Sequence, residues 1–285
     1  QTETTWEGEG VPDSYRIYVS TDGYGLDNGT ISTDETHYDF DDMERGRTYY
    51  FRVAGVNAGG ESLISEPVAA RINCTQKPAL LIVNGFDRTD RSIQEENNTR
   101  DYVVRHARAV ENAGNYFFVS ASNEAFDSYD LSAADIEMID WISGEEAGTG
   151  GDTLFQALNV SRRQKLADFL STQNGALFIS GSEIAWDAFV GANDEDYKNW
   201  VNTYLKADYV SDDAGEYNFV GVEDTIFAGL SGTFDDGAHG TYDVDWPDVL
   251  EPYDDSSICA TYNDKSKGLA VCKKCSAEKL VYLGI

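Results

Sequence analysis

Basic residues are scarce in this sequence: 21 Lys and Arg stand against 51 Asp and Glu, a formal net charge of −30. A charge of that sign repels nucleic acid and anionic lipid, so neither is an expected partner. It fits a secreted chain, a salt-adapted one, one that holds divalent cations such as Ca at its surface, or simply a well-solvated shell. No apolar run approaches the roughly 18 residues of a membrane helix, and no signal peptide opens the chain. A soluble chain without membrane insertion is expected, in mature or trimmed form. Histidine is limited to His37, His106 and His239, which leaves few candidate bases. Four cysteines are too few to build a disulfide fold, and they form no paired Cys-x-x-Cys motifs.

Those cysteines carry two readings. In Ser257–Lys273, SICATYNDKSKGLAVCK, the stretch Asn263–Gly268 has the character of a hairpin connection. Pairing Asn263 with Gly268 sets Cys259 opposite Cys272, where a cross-strand disulfide is geometrically allowed in an oxidising compartment. Cys272-Lys273-Lys274-Cys275 is alternatively one half of a zinc site, but no second ligand pair accompanies it.

The 285 residues suffice for two ordinary domains. Residues 1–72 show short alternating runs broken by turn residues, as in an all-β domain: Tyr15, Ile17 and Val19 precede the turn Thr21-Asp22-Gly23, and Tyr49, Phe51 and Val53 alternate in TYYFRVAGVN. The run Met43-x-x-Gly46-x-x-Tyr49-Tyr50-Phe51-Arg52-Val53, followed by Val56-Asn57-x-x-Gly60-Glu61-Ser62, resembles the second half of a fibronectin type III domain. The resemblance implies that Tyr49 makes the corner hydrogen bond of that sandwich and that Trp6 is its core tryptophan. It also implies a module whose first strand is missing. Thr75-Gln76-Lys77-Pro78 reads as a linker, because Pro78 cannot donate to a ladder.

From Ala79 the pattern changes to strand, helix, strand. Ala79–Val83, Tyr116–Ser120, Ile136–Ile142, Ala176–Ser180 and Lys279–Leu283 are strand candidates; Thr99–Ala113, Val160–Leu170 and Asp194–Leu205 are helical. Alternation of this kind predicts a parallel sheet flanked by helices. Between 207 and 273 the helical signal fades into a β-rich segment. The expected division is 1–74 and 75–285.

Ligands of an open parallel sheet bind at the carboxyl ends of its strands. Four strand ends here deliver Asn84, Asp87 and Arg88; Ser122 and Glu124; Glu145 and Glu146; and Ser180, Ser182 and Glu183. Crowded carboxylates take up a metal, share protons with raised pKa values, or point apart into water, and Asp or Glu capping the next helix accounts for them equally well. In Ala176–Asp187, ALFISGSEIAWD, Gly181 supplies the small neighbour that a nucleophile elbow needs, for Ser180 or Ser182. The full Gly-x-Ser-x-Gly pattern is not met. A serine needs a base, and His239 in a polar loop is the candidate for Ser182. Trp141, Trp186 and Trp246, with Tyr242 and Tyr253, are either core or the lining of a sugar-binding cleft.

Taken together, ALLIVNGFDR (Ala79–Arg88), SASNEAF (Ser120–Phe126), IDWISGEEA (Ile139–Ala147), GALFISGSEIAWD (Gly175–Asp187) and KLVYLGI (Lys279–Ile285) resemble the class I glutamine-amidotransferase-like domain of secreted bacterial proteins, a family often labelled xanthan lyase. The resemblance implies an α/β flavodoxin-like parallel sheet behind an N-terminal all-β fibronectin type III sandwich, a secreted or cell-surface setting, and polysaccharide or other surface proteins as partners. Amidotransferases carry an elbow cysteine partnered by histidine and glutamate, whereas this corner offers Ser180 or Ser182 and no His-x-Glu follows. Three functions stay open: a carbohydrate-associated protein whose amidotransferase-like domain is non-catalytic or ligand-binding through Asn84, Asp87, Arg88, Glu145, Glu146, Ser180 and Trp186; a hydrolase of glycan or ester using Ser182, Glu183 and His239 or the Glu145, Glu146, Glu183 cluster; and a structural surface or appendage protein.

Overall fold

The computed structural model describes residues 11–26, 29–72, 76–88, 98–131, 135–148, 155–172, 174–238, 242–263, 265–274 and 279–285. Contacts divide the chain into two compact units, Gln1–Ala79 with Asp101–Ser120, and Leu80–Arg100 with Ala121–Ile285.

The first unit starts with β1 (Ser14–Ser20), β2 (Thr30–Thr33), β3 (Thr48–Asn57), β4 (Gly60–Glu61) and β5 (Val68–Arg71). These pair antiparallel in the order β2-β1-β3-β5, with Ile17 opposite both Ile31 and Val53 and Tyr50 opposite Ala69. The period-2 alternation turns Ile17 and Val19 inward. The turn after β1 forms where the sequence places it, because Asp22 Oδ1 accepts from the N–H of Tyr24 and Gly25 at 2.9 and 2.8 Å. Tyr49 does make a corner bond, its hydroxyl accepting from Glu44 N–H at 3.0 Å. Trp6 lies outside the described residues.

Of the expected linker, Thr75 lies outside the described residues and Gln76–Pro78 belong to a strand. Strand β6 (Gln76–Asn84) begins at Gln76 and includes Pro78, a residue that strands tolerate near their start. The helix α1 (Tyr102–Ala113) and the strand β7 (Tyr116–Ser122) follow β6 in the expected strand-helix-strand order, and α1 packs on the N-terminal strands. Thr48 donates to Glu111 Oε1 at 2.6 Å, Arg71 Nη1 donates to Gly114 O at 2.8 Å, and β5 pairs with β7 through Ala70 and Val119.

The second unit adds α2 (Asn123–Ser128), β8 (Met138–Gly144), α3 (Val160–Thr172), β9 (Ala176–Gly181) and the single turn α4 (Ile184–Trp186), which continues as a π-turn over Asp187–Gly191. Next come α5 (Glu195–Trp200) with a second π-turn to Leu205, then β10 (Ala207–Ser211), β11 (Asn218–Gly221), β12 (Ser231–Thr233), β13 (Val249–Pro252), β14 (Ser257–Tyr262), β15 (Gly268–Lys274) and β16 (Lys279–Leu283). Its sheet is mixed. β6, β8, β9 and β16 are neighbours in that order and parallel, with Leu81 beside Ile139, Ile139 beside Leu177, and Leu177 beside Leu280. Leu81, Ile82, Val83, Ile139, Trp141 and Ile179 are fully buried, as continuous apolar runs in a two-sided sheet require. β15 turns the sheet antiparallel and carries β14, β11 and β12 beyond it, so the 207–273 segment is β-rich as expected.

Helix α2 is held at its start by Ser122, whose hydroxyl accepts from Ala125 N–H at 3.3 Å. Ser122→Ala is expected to cost about 1 kcal/mol, read as a lower urea midpoint with an unchanged slope.

One register differs from expectation. Thr261, not Asn263, pairs with Gly268, and because the irregularities on the two sides of Ala260 offset each other, the same register sets Ser257 opposite Cys272. A Cβ on Gly268 would lie 2.6 Å from Ile258 Cδ1 on β14 and 2.3 Å from Leu250 O on β13, so both strands approach β15 closely here, and β14 carries an extra residue at Cys259.

Candidate functional site

The carboxyl ends of β6, β8 and β9 are drawn together by two glycines. A Cβ on Gly181 would lie 2.7 Å from Ser143 Cβ, and one on Gly144, whose φ is +52°, would lie 2.2 Å from Phe86 Cδ1. Close approach lets backbone bond to backbone across the ends: Gly85 N–H to Ile142 O at 2.8 Å, and Ser182 N–H to Gly144 O at 2.9 Å. The sequence placed these three strand ends on one edge, and the structure brings them into contact.

On this frame sits a cluster of acids. Glu146 Oε1 accepts from the N–H of Asp87, at 2.8 Å, and of Arg88. Glu145 Oε1 accepts from Asp245 N–H at 2.8 Å, while Arg88 Nη1 donates to Glu145 O at 2.9 Å. Asp248 Oδ2 accepts from Ala185 and Trp186 N–H at 3.0 and 3.2 Å, and Asp187 accepts from Gly148 and Ala157 N–H at 2.9 and 3.0 Å. The segment 245–248 therefore stretches from the end of β8 to the corner after β9. Trp246 lies at its middle, 42% exposed and in the left-handed region at φ +50°.

Burial decides the charge of these acids. It pushes Glu183 up to about 10, helped by Asp248, Asp212 and Glu145 and opposed by Arg88. It pushes Glu146 up to about 9, with Asp87 beside it adding to the effect and the two backbone donors opposing it. Asp187 rises to about 6, again by burial, offset by the N–H groups of Gly148 and Ala157. Asp248, which has no exposed surface, is raised well above the usual carboxylate range by burial. Burial thus favours the protonated form of Glu146 and Glu183 over the carboxylate, a form that donates a hydrogen bond and is not a base. Glu183 Oε1 and Asp248 Oδ1 are buried and bond to no other protein group among the described residues.

Ser182 has no exposed surface, and its hydroxyl points at Gly144 O at 3.5 Å. Ser180 is half-buried on β9. Asn84 is half-buried, its side-chain oxygen accepting from Phe86 N–H at 3.3 Å, and Asp87 is exposed, with Asn123 Nδ2 3.4 Å from Oδ2. Trp186 is half-buried and Glu124 exposed. Trp141 is fully buried against Phe126, and Tyr242 packs on Phe86 with ring centroids 5.2 Å apart. His239 lies outside the described residues. Among the described residues no three His, Cys, Asp or Glu side chains are placed to hold a metal ion. No helix among them is long and apolar enough to cross a membrane.

Asp187 and Asp248 were missed. Asp187 stands four residues after Glu183, where an α-turn returns it to the same corner; Asp248 arrives from a distant loop with no local periodicity to announce it.

Residues 2–71 match the family model of the fibronectin type III domain. The N-terminal strands, with the Tyr49 corner, are thus a fibronectin type III domain. No curated protein matches the chain.

Proposed function

We propose that the α/β unit is a non-catalytic, ligand-holding domain of flavodoxin-like, class I glutamine-amidotransferase-like plan, in a secreted or cell-surface protein that associates with carbohydrate. The parallel order β6-β8-β9-β16 supports that plan, because it corresponds to positions 1-3-4-5 of a doubly wound sheet, whose ligand edge is the carboxyl one. The observation that carries the non-catalytic part is the sealing of Ser182: a hydroxyl with no exposed surface, turned onto a backbone carbonyl, is closed to substrate. Glu145, Glu146, Asp187 and Asp248 around it are committed to loop N–H groups, which makes them clamps on the corner. The rim remains free to bind. Asp87 offers an exposed carboxylate for sugar hydroxyls and Trp246 an exposed indole for an apolar ring face. The fibronectin type III domain serves as spacer.

A glycan array followed by titration calorimetry tests the binding half. The parent is expected to retain a polysaccharide, and Trp246→Ala to weaken it by about tenfold, the worth of one aromatic contact of ~1.4 kcal/mol. A parent that retains no glycan overturns the carbohydrate assignment.

A further inference from the structure

We infer that Cys259 and Cys272 are joined by a disulfide in the working protein, and that the β14–β15 hairpin is the redox-sensitive clamp of the second unit. Both thiols are free here, on adjacent strands, and both are buried, 0% and 2% exposed, in one apolar cluster with Val249, Ala260, Tyr262, Leu269 and Ala270. Ser257 Oγ lies 4.0 Å from Cys272 Sγ, and Cys259 packs in the same buried cluster as Cys272. The irregular register sets how the thiols face each other. Cys259 is the extra residue between the pairs Ile258–Val271 and Ala260–Ala270, so it stands on the diagonal from Cys272 within one buried cluster; diagonal neighbours lie about 7–8 Å apart at Cα, so closing the bond draws the two strands together here.

The hairpin lies at a junction of the sheet. β15 pairs with β13, β14 and β16, and β16 in turn lies beside β9, which carries the Ser182 corner. Joining the thiols forms one S–S bond and releases two protons and two electrons. A disulfide oxidant of the compartment, such as an oxidised dithiol protein or oxidised glutathione, takes up the electrons and is reduced to thiols. Burial shields the product from reductant, and burial also raises the Cys259 thiol pKa, so the bond forms during folding, while the thiolates are accessible.

The full chain carrying Cys74→Ser and Cys275→Ser provides the test, refolded from denaturant in a mixture of oxidised and reduced glutathione, then denatured, alkylated without reductant and mapped by mass spectrometry. The expected map contains a linked Cys259–Cys272 peptide, about 2 Da lighter than the two thiol peptides together. The oxidised protein melts about 6 °C above the same protein refolded with reductant, and a further Cys259→Ser/Cys272→Ser variant shows no such difference. Complete alkylation of both cysteines, or glutathione carried on either in place of the link, overturns the inference. So does a link without any rise in melting temperature, because the hairpin would then not be a clamp.

Discussion

Gly144→Ala is expected to destabilise the α/β unit by about 4 kcal/mol, enough to abolish a cooperative transition in a marginal domain. Two costs combine. The residue sits at φ +52°, where a Cβ costs about 1 to 2 kcal/mol. The new methyl would also lie 2.2, 2.5 and 2.7 Å from three ring atoms of Phe86, which is fully buried and cannot give way without disturbing the β6 end. Displacing that end also threatens the N–H groups of Asp87 and Arg88 that hold Glu146. Gly215→Ala is the control. It shares a positive φ, +64°, but nothing lies within 4 Å of its Cβ position, so only the backbone cost of about 1 kcal/mol should appear. Urea unfolding of both variants checks the account. Equal losses would mean that the contact with Phe86 is not the strained one.

The pH dependence of stability should be steep and should flatten in Glu183→Gln. A carboxyl raised from its ordinary 4.5 to about 10 binds its proton more tightly folded than unfolded. Its contribution is complete below the unfolded value and is lost as pH rises toward 10, at up to about 1.4 kcal/mol per pH unit for each such group. Glu146, raised to about 9, acts in the same direction. Parent stability therefore falls from pH 5 to pH 9. Gln cannot lose a proton, so Glu183→Gln should fall by on the order of 5 kcal/mol less over that interval, measured as denaturant midpoints at each pH. Parallel curves for parent and variant would show that Glu183 is ionised in the folded protein.

What the sequence reveals of this chain follows from where its information is local. β6, β8, β9 and β16 are legible because a strand buried on both faces must be apolar at every position, and Leu81, Ile139, Leu177 and Leu280 meet that demand. The Tyr49 corner is legible because it lies inside a short motif. Contacts set by packing are not. The extra residue at Cys259 and the close approach of Gly268 to Ile258 and Leu250 are features that no pattern in SICATY announces. Pro78 reads as a linker because it cannot donate to a ladder, yet it lies within β6, near its start. Of the site, the corner from Ser180 to Glu183 and the pair Glu145-Glu146 were visible as strand ends. Their partners Asp187 and Asp248 were not, since a buried acid from a distant loop shows itself only through the N–H groups it meets. The serine that looked like a nucleophile is closed off by Gly144 O, a contact that depends on the fit of two glycines.

The most direct measurement is a time course of product release from the polysaccharide or ester that the chain retains, run on the parent beside Ser182→Ala. Binding by both proteins with no released product from either is the predicted result. Turnover by the parent that Ser182→Ala abolishes, with binding intact, would contradict it and make the corner a catalytic elbow.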